Sequence, residues 1–313
     1  HGIANMTNAH PHATKRVALV HNGIIENFLL LRAEMESLKY KFESETDTEV
    51  ILALLDHHLQ MGMSPGEATT AMLQRVEGAF ALAIIFTGHE NLMIGARKGC
   101  PLVIGYGDGQ MFLGSDALAL VPLTRRISYL EEGDWVELRV GTATIHSPTG
   151  EVVERPIREV DLADSAIEKG NHKHFMLKEI YEQPVVIGDC LRTLFNPVQR
   201  TVILPDLDLD FVGFDRLSIV ACGTSYYAGL VARYWLESLA GLPVDVDVAS
   251  EYRYRSIPRQ EGTLGLFISQ SGETADTLAA MRFAKEMGHS ALSVVNVSES
   301  SMAREADNVL YTM

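Results

Sequence analysis

The chain predicts two fold classes in succession: an α+β region up to about Asp161 and an α/β region with a parallel five-stranded, flavodoxin-like sheet after about residue 208. Three observations carry this. In the first region short strands follow one another with turn residues between them, the pattern of antiparallel pairing. After Phe214 strands and helices alternate, which means βαβ units and parallel pairing. Two strands of that second region also end in short polar loops, Cys222-Gly223-Thr224-Ser225 and Ser269-Gln270-Ser271-Gly272-Glu273-Thr274.

In the first region Val17–Val20, Phe80–Phe86, Asn91–Ile94, Leu102–Ile104, Met111–Leu113 and Trp135–Leu138 read as strands. Turns are expected at Gly88-His89, Gly107-Asp108-Gly109 and Glu132-Gly133-Asp134. Helical patterns run over about Glu26–Leu38, Thr46–Leu59 and Pro65–Val76, the last with a Ser-Pro start. Helices packed on antiparallel sheet give a layered domain. Polar residues without periodicity from Leu162 to Gly170 mark a linker. His174–Gln183 reads as a helix ended by Pro184. Then come strand 217–221, helix 226–239, strand 244–249, strand 264–268, helix 274–287, strand 292–296 and strand 309–311. The expected division is a first domain over 1–161, a linker and connecting helix over 162–207, and a second domain over 208–313.

The two polar loops are the most informative feature. A helix start leaves backbone N–H groups unpaired and carries partial positive charge. Hydroxyls and a glycine at that point make an anion cradle. Ser and Thr are also ordinary caps, but capping takes about one hydroxyl per helix. Thr224, Ser225, Ser269, Ser271 and Thr274 place five hydroxyls at two strand ends, where open α/β sheets bind ligands. The expected ligand is a phosphorylated small molecule.

A length of 313 residues allows two domains with sizeable cores, and 47% hydrophobic with 21% charged residues describes an ordinary globular protein. The formal net charge of −15 argues against non-specific nucleic-acid binding, so any anionic ligand must be attracted by local amides and dipoles. Cys100, Cys190 and Cys222 have neither metal nor disulfide-framework spacing and, without a signal peptide, fit a reducing cytoplasm. The longest apolar stretch, Ala79–Phe86, is too short to cross a bilayer. His10, His12, His57 and His58 lack a second Cys/His cluster at metal spacing, so no metal and no cofactor is expected.

The first region carries a polar cluster of its own: Asn8–His12, His21-Asn22-Gly23 and Ser44–Glu49. On spacing alone Asn22-Gly23 reads as a hairpin turn, and Asp47 and Thr48 as helix caps. In this order, Asn8–His12, Val20–Asn27, Ser44–Glu49, Lys178–Pro184, Ala221–Ser225, Ala249–Arg255 and Ser269–Thr277 together resemble the glutamine–fructose-6-phosphate aminotransferase family. The first three blocks are similar to its glutaminase domain and the last four to its sugar-isomerase (SIS) domain.

The resemblance implies an N-terminal-nucleophile αββα glutaminase, truncated at its start, followed by SIS architecture. It implies that ammonia from glutamine converts fructose 6-phosphate to glucosamine 6-phosphate in a cytoplasmic enzyme that is a homodimer at full length. Asn22 and Gly23 look like the oxyanion-hole pair, Asp47 like the acid that holds the α-ammonium of glutamine, and His1 and His10 like further glutamine-site residues. Thr224, Ser225, Ser269, Gln270, Ser271 and Thr274 look like the sugar-phosphate pocket. Cys222 aligns with a pocket position without a nucleophilic role, and Glu251 and Arg253 are weaker candidates.

The family's nucleophile is an N-terminal cysteine, and this sequence starts at His1. The resemblance therefore places that cysteine, a glutamine-gripping arginine and a gating tryptophan upstream. It places a second SIS domain, with a ring-opening histidine, an isomerising glutamate and a Schiff-base lysine, beyond Met313, so residues 1–313 alone are not expected to turn over. Two alternatives have their own discriminators. A sugar-phosphate-binding regulator has no use for Asn22-Gly23 with Asp47, and a phosphoribosyl-type amidotransferase has none for the loops at Thr224 and Ser269.

Overall fold

The computed structural model describes residues 2–160, 172–204, 207, 209–258, 261–298 and 300–312. The chain divides into two compact units, 1–168 and 169–313, each described by itself below. The stretch expected as a linker at 162–170 lies outside the described residues.

The first unit runs β1 (His12–Ala13), β2 (Val17–Ile25), α1 (Phe28–Ser37), α2 (Thr48–Gln60), α3 (Pro65–Leu73), β3 (Gly78–Phe86) and β4 (Met93–Lys98). It continues with β5 (Val103–Tyr106), β6 (Met111–Gly114), α4 (Ala117–Leu120), β7 (Arg126–Tyr129), β8 (Trp135–Arg139), β9 (Thr142–His146), β10 (Val152–Val153) and β11 (Arg158–Glu159). Seven strands form one sheet in the order β1-β2-β3-β4-β8-β9-β10, and four form a second in the order β11-β7-β5-β6. Pairing within both is antiparallel, as the hairpin pattern predicts.

Packing follows from alternation along the strands. Val17, Leu19 and Ile25 of β2 and Leu82 and Ile84 of β3 meet the helices, where Val50, Ile51, Leu54 and Leu55 of α2 are fully enclosed. The opposite face of the seven-stranded sheet gives Ala81, Val136 and Leu138 to a second core with Ile104 of the four-stranded sheet and Leu102 just before its strand β5. Ala117 and Leu120 of α4 close the outer side of that sheet against Val103 and Ile127. The layers are thus helices, sheet, sheet and one short helix. The Ser-Pro start of α3 is a full capping box, in which Ser64 and Glu67 satisfy each other's backbone N–H groups. Arg155 grips the fully buried Asp134 through two bonds of 2.8 and 3.0 Å, pinning the chain after β10 to the turn before β8.

Asn22-Gly23 is not a turn. Both residues lie inside β2, with Asn22 opposite Ala81 and Gly23 opposite Phe80. The strand runs on to Ile25 because Ile24 and Ile25 keep the pattern going, and Gly23 (φ +136°) supplies the backbone shape that its close approach to β3 requires. A Cβ there would lie 2.1 Å from the Ala79 carbonyl oxygen.

The second unit runs α5 (Phe175–Leu194), β12 (Phe195–Asn196), β13 (Thr201–Val202), β14 (Arg216–Ala221), α6 (Gly223–Ala240), β15 (Val244–Val248) and α7 (Ala249–Tyr252). It ends with β16 (Thr263–Ile268), α8 (Ala275–Glu286), β17 (Ser290–Val295), α9 (Ser301–Glu305) and β18 (Asn308–Tyr311). Five strands pair in parallel in the order β15-β14-β16-β17-β18, the flavodoxin-like arrangement. Pro184 does not end its helix. α5 continues through it to Leu194, giving up one backbone bond while the proline's fixed φ remains helical.

Candidate functional site

In the first unit the polar cluster assembles around the start of α2. Asp47 precedes that helix but caps nothing. Its carboxylate Oδ2 instead accepts the Ile25 N–H at 2.7 Å, tying it to β2 two residues beyond Gly23. The cap expectation for Asp47 is corrected by this geometry: its backbone is itself helical, which turns the side chain away from the free N–H groups of the first turn. Asp47 is buried, and its second oxygen accepts no hydrogen bond among the described residues. A carboxylate oxygen left without a protein partner at the surface of an otherwise enclosed residue is an acceptor open to a cation.

The turn that delivers Asp47 is built by its neighbours. Glu49 reaches back to accept from the Glu43 N–H (2.9 Å), the Ser44 N–H (2.7 Å) and the Ser44 hydroxyl (2.7 Å). The Ser44 and Thr46 hydroxyls are 2.8 Å apart, and Thr46 Oγ1 lies 3.2 Å from His12 Nε2. Thr48 Oγ1 lies 3.2 Å from His10 Nε2 and 2.9 Å from His21 Nδ1. The His10 ring is 5.3 Å from His12 and 6.4 Å from His21, centre to centre. Burial pushes both His10 and His21 below the usual imidazole range, while the Asp47 charge pulls the other way. Rings held in this way are neutral near pH 7 and have lone pairs to offer.

Asn22 is exposed, and Gly23 is half-buried beside it. Asp47 through Ile25, and His10 through Thr48 and His21, are thus tied to the β2 residues that flank Asn22 and Gly23. His1 lies outside the described residues. Sequence reading named the Ser44–Glu49 stretch without seeing that Ser44, Thr46, Thr48 and Glu49 shape it. Their partners stand up to 38 positions away, as His10 does from Thr48, and no local pattern announces such a pair.

In the second unit Ala221 and Ile268 are direct partners in the parallel ladder. The two polar loops consequently leave adjacent strands at the same level. They do so between β14 and β16, where the strand order reverses and α/β sheets bind ligands. α6 begins at Gly223, three residues earlier than its sequence pattern suggests, so Thr224 and Ser225 stand in its first turn. Their hydroxyls have no partner among the described residues. The other loop is internally braced. Ser269 is buried, its oxygen accepts the Gly272 N–H at 3.1 Å, and it lies 2.8 Å from Thr274 Oγ1. Thr274 therefore does not cap α8. Ser271 Oγ accepts the Glu273 N–H at 3.2 Å and keeps its proton to give. Gln270 is exposed, with its amide 3.5 Å from Asn296.

The start of α9 supports this loop, which sequence reading missed. Glu273 accepts the Ser301 N–H at 2.7 Å, and the Gly272 carbonyl accepts the Met302 N–H at 3.0 Å. Gly272 (φ +64°) has no room for a side chain, since a Cβ would meet Ser300 Oγ at 2.0 Å. Arg253 stacks on the ring of Tyr254 at 4.6 Å, and Glu251 accepts from the Ser250 hydroxyl, so both weaker candidates have local occupations. Burial pushes the Cys100 thiol up, the opposite of what a nucleophile needs. Among the described residues no cluster of three or more His, Cys, Asp or Glu could hold a metal ion.

Comparison with known proteins assigns both units. Residues 4–122 match the glutamine amidotransferase domain family, and residues 212–313 match the SIS domain family. The glutamine–fructose-6-phosphate aminotransferase (isomerizing) of Zymomonas mobilis is 56% identical over 312 residues, covering 100% of this chain and 51% of that protein. Its counterpart in Bradyrhizobium diazoefficiens is 54% identical over 314 residues, covering 100% of this chain and 52% of that one. Among solved structures, the C-terminal domain of glucosamine-fructose-6-phosphate aminotransferase from Francisella tularensis is 41% identical with a TM-score of 0.44, covering 46% of this chain and 42% of that one. The chain spans about half the length of the curated relatives it matches. Over its whole length the chain is similar to glutamine–fructose-6-phosphate aminotransferases, and it consists of a glutamine amidotransferase domain followed by an SIS domain.

Proposed function

We propose that the complete protein takes ammonia from glutamine and uses it to convert fructose 6-phosphate to glucosamine 6-phosphate. The observation that carries this reading is the presence, in one chain, of an Asp47 oxygen open to a cation beside Asn22 and Gly23, and of two hydroxyl-bearing loops at the switch point of a parallel sheet. The first arrangement suits an amino acid with a carboxamide to be attacked. Asp47 holds the α-ammonium, and the Asn22 side-chain amide and the Gly23 N–H face the oxygen that gains charge in the tetrahedral intermediate. His10 borders the same pocket, and His1 belongs with it in the family pattern. The second arrangement suits a phosphate ester. Ser271, Thr224, Ser225 and the Gln270 amide donate to its oxygens, while Ser269 and Thr274 hold the loop in shape.

No step of this reading calls for a metal or an organic cofactor. The nucleophile is the family's N-terminal cysteine, distinct from Cys100, Cys190 and Cys222. The proposed domain limits are 1–161 for the αββα N-terminal-nucleophile glutaminase and 208–313 for the first SIS domain, with 162–207 connecting them. The proposed setting is the cytoplasm and the proposed full-length assembly a homodimer, without nucleic-acid or membrane partners. Among the described residues no helix is long and apolar enough to cross a membrane. A regulator that only senses sugar phosphate leaves the first cluster without a use, and it is not favoured.

The test is isotopic. The complete protein, given glutamine labelled with ¹⁵N in its side-chain amide and fructose 6-phosphate, is expected to yield ¹⁵N-labelled glucosamine 6-phosphate and unlabelled glutamate. Release of labelled ammonia with no amino sugar would overturn the reading of the second unit. Absence of both products would overturn the whole.

A further inference from the structure

His21 and Thr48 are not among the residues expected to touch substrate, yet each adjoins one that is. His21 directly precedes Asn22 on β2, and Thr48 directly follows Asp47 at the start of α2. Resting on the glutamine-site reading above, we propose that Thr48 and His21 are positioning residues whose hydrogen bond sets the strand carrying Asn22 and Gly23 against the turn carrying Asp47.

The geometry has three parts. Along β2, Val17, Leu19, His21 and Ile25 are buried while Val20, Asn22 and Ile24 are exposed, so His21 and Asn22 project to opposite faces of one strand. A twist of β2 that freed His21 would therefore swing Asn22. Two polar ties join β2 to the start of α2: His21 Nδ1 to Thr48 Oγ1 at 2.9 Å, and the Ile25 N–H to Asp47 Oδ2 at 2.7 Å. One tie alone is a pivot, whereas two ties four residues apart fix direction. Adhesion is supplied elsewhere, by Val50, Ile51, Leu54 and Leu55 packed on Val17, Leu19 and Ile25. The polar pair is thus left with orientation as its role.

Proton counting shows why a hydroxyl stands at position 48. Its oxygen meets two imidazole nitrogens, His10 Nε2 and His21 Nδ1, and it has one proton. At least one ring must donate to it, and a hydroxyl can accept from one ring while donating to the other. Valine has the shape of threonine but does neither. It would leave His21 Nδ1 unpaired in a ring whose Nε2 is already buried without a partner among the described residues.

The test uses the complete protein. Thr48→Val is expected to lower kcat for glutamine hydrolysis by about tenfold or more, since small misplacements of reacting groups are costly. KM for glutamine should change by less than about threefold, because Asp47 keeps its tie to Ile25. Thr48→Ser is expected to restore kcat, and amination of the ketose phosphate by free ammonia to stay unchanged in both variants. A second pair guards against misfolding. In His21→Asn the amide nitrogen falls where Nδ1 stood and kcat should be retained, whereas in His21→Gln it falls nearer Nε2 and kcat should drop.

Wild-type kcat in Thr48→Val, equal damage in His21→Asn and His21→Gln, or losses that follow melting temperature across all four variants would each overturn the positioning role. Failure of the underlying site reading gives a different signature. Asn22→Ala would then keep its glutaminase activity, whereas an inactive Asn22→Ala beside a fully active Thr48→Val sinks only the inference about the pair.

Discussion

Asp47 is the residue on which the glutamine reading turns, because capping and substrate binding make opposite demands on its side chain. A cap spends its oxygen on the N–H groups of its own helix. Asp47 spends one oxygen on a strand far away in sequence and leaves the other unpartnered among the described residues. Asp47→Asn removes the charge and keeps the shape. It is expected to weaken glutamine binding by about 1.5–3 kcal/mol, the worth of a hydrogen bond to a charged group. Calorimetry with glutamine and with fructose 6-phosphate separates the cases, since only the first affinity should fall. Unchanged glutamine affinity would return Asp47 to a purely structural role. Asn22 makes a kinetic prediction instead. Loss of one oxyanion donor typically lowers turnover by about a hundredfold or more. In the complete protein, Asn22→Ala should therefore lose glutamine hydrolysis to that extent while still aminating the ketose phosphate from added ammonia. Equal loss of both activities would indicate a folding defect.

The loop from Ser269 to Thr274 shows how one element divides its hydroxyls between shape and binding. Ser269 is buried and accepts the Gly272 N–H, so Ser269→Ala strands a buried donor. That variant is expected to lose about 1–3 kcal/mol of stability. Ser271 accepts only the half-buried Glu273 N–H, which water can meet in its place, and keeps its proton free, so Ser271→Ala should lower the melting temperature less than Ser269→Ala and cost about 1.5–3 kcal/mol of phosphate-ester affinity. Paired calorimetry with fructose 6-phosphate and fructose, alongside thermal melts, reads both effects. If Ser271→Ala lowered only the melting temperature, the cradle would be no more than a brace. The same contrast explains what the sequence could and could not reveal. Strand–helix alternation placed all five strands of the parallel sheet, because burial imposes the period locally. Asn22-Gly23 carried a turn signature that its pairing with Phe80 and Ala81 overrode. Pro184 signalled an end that α5 does not obey. Ser269's use of Gly272 and Glu49's grip on Ser44 were invisible, because they depend on where the chain returns.

Acid acts on the whole of the first unit through its imidazoles. His10, His21 and His58 are each held below the ordinary value of 6.5, first of all by burial and then by neighbouring positive groups: His12 for His10, His10 and His12 for His21, and His57 and Arg75 for His58. Asp47 opposes the shift at His10 and His21 without reversing it. An unfolded chain takes up protons near pH 6.5, and the folded unit resists them until lower pH. The stabilisation is therefore complete above pH 6.5 and is lost as the pH falls from there through the lowered folded values. Asp307 in the second unit works lower on the scale. Burial tends to raise its carboxyl, but the Lys285 ammonium and the Ala291 N–H hold it below the ordinary value of 3.8. Its contribution persists at mildly acid pH and is lost only as the pH falls through that depressed value. Limited proteolysis between pH 7.5 and 5, with cleavage sites located by mass spectrometry, measures the first effect directly. Cuts around β2 and α2 are expected to appear as the pH drops below 6.5, and to be delayed in His58→Leu, which replaces a ring whose two nitrogens are buried without partners among the described residues. A first unit whose resistance does not change over that range would show that these rings have the same proton affinity folded and unfolded, and that burial has not set their charge.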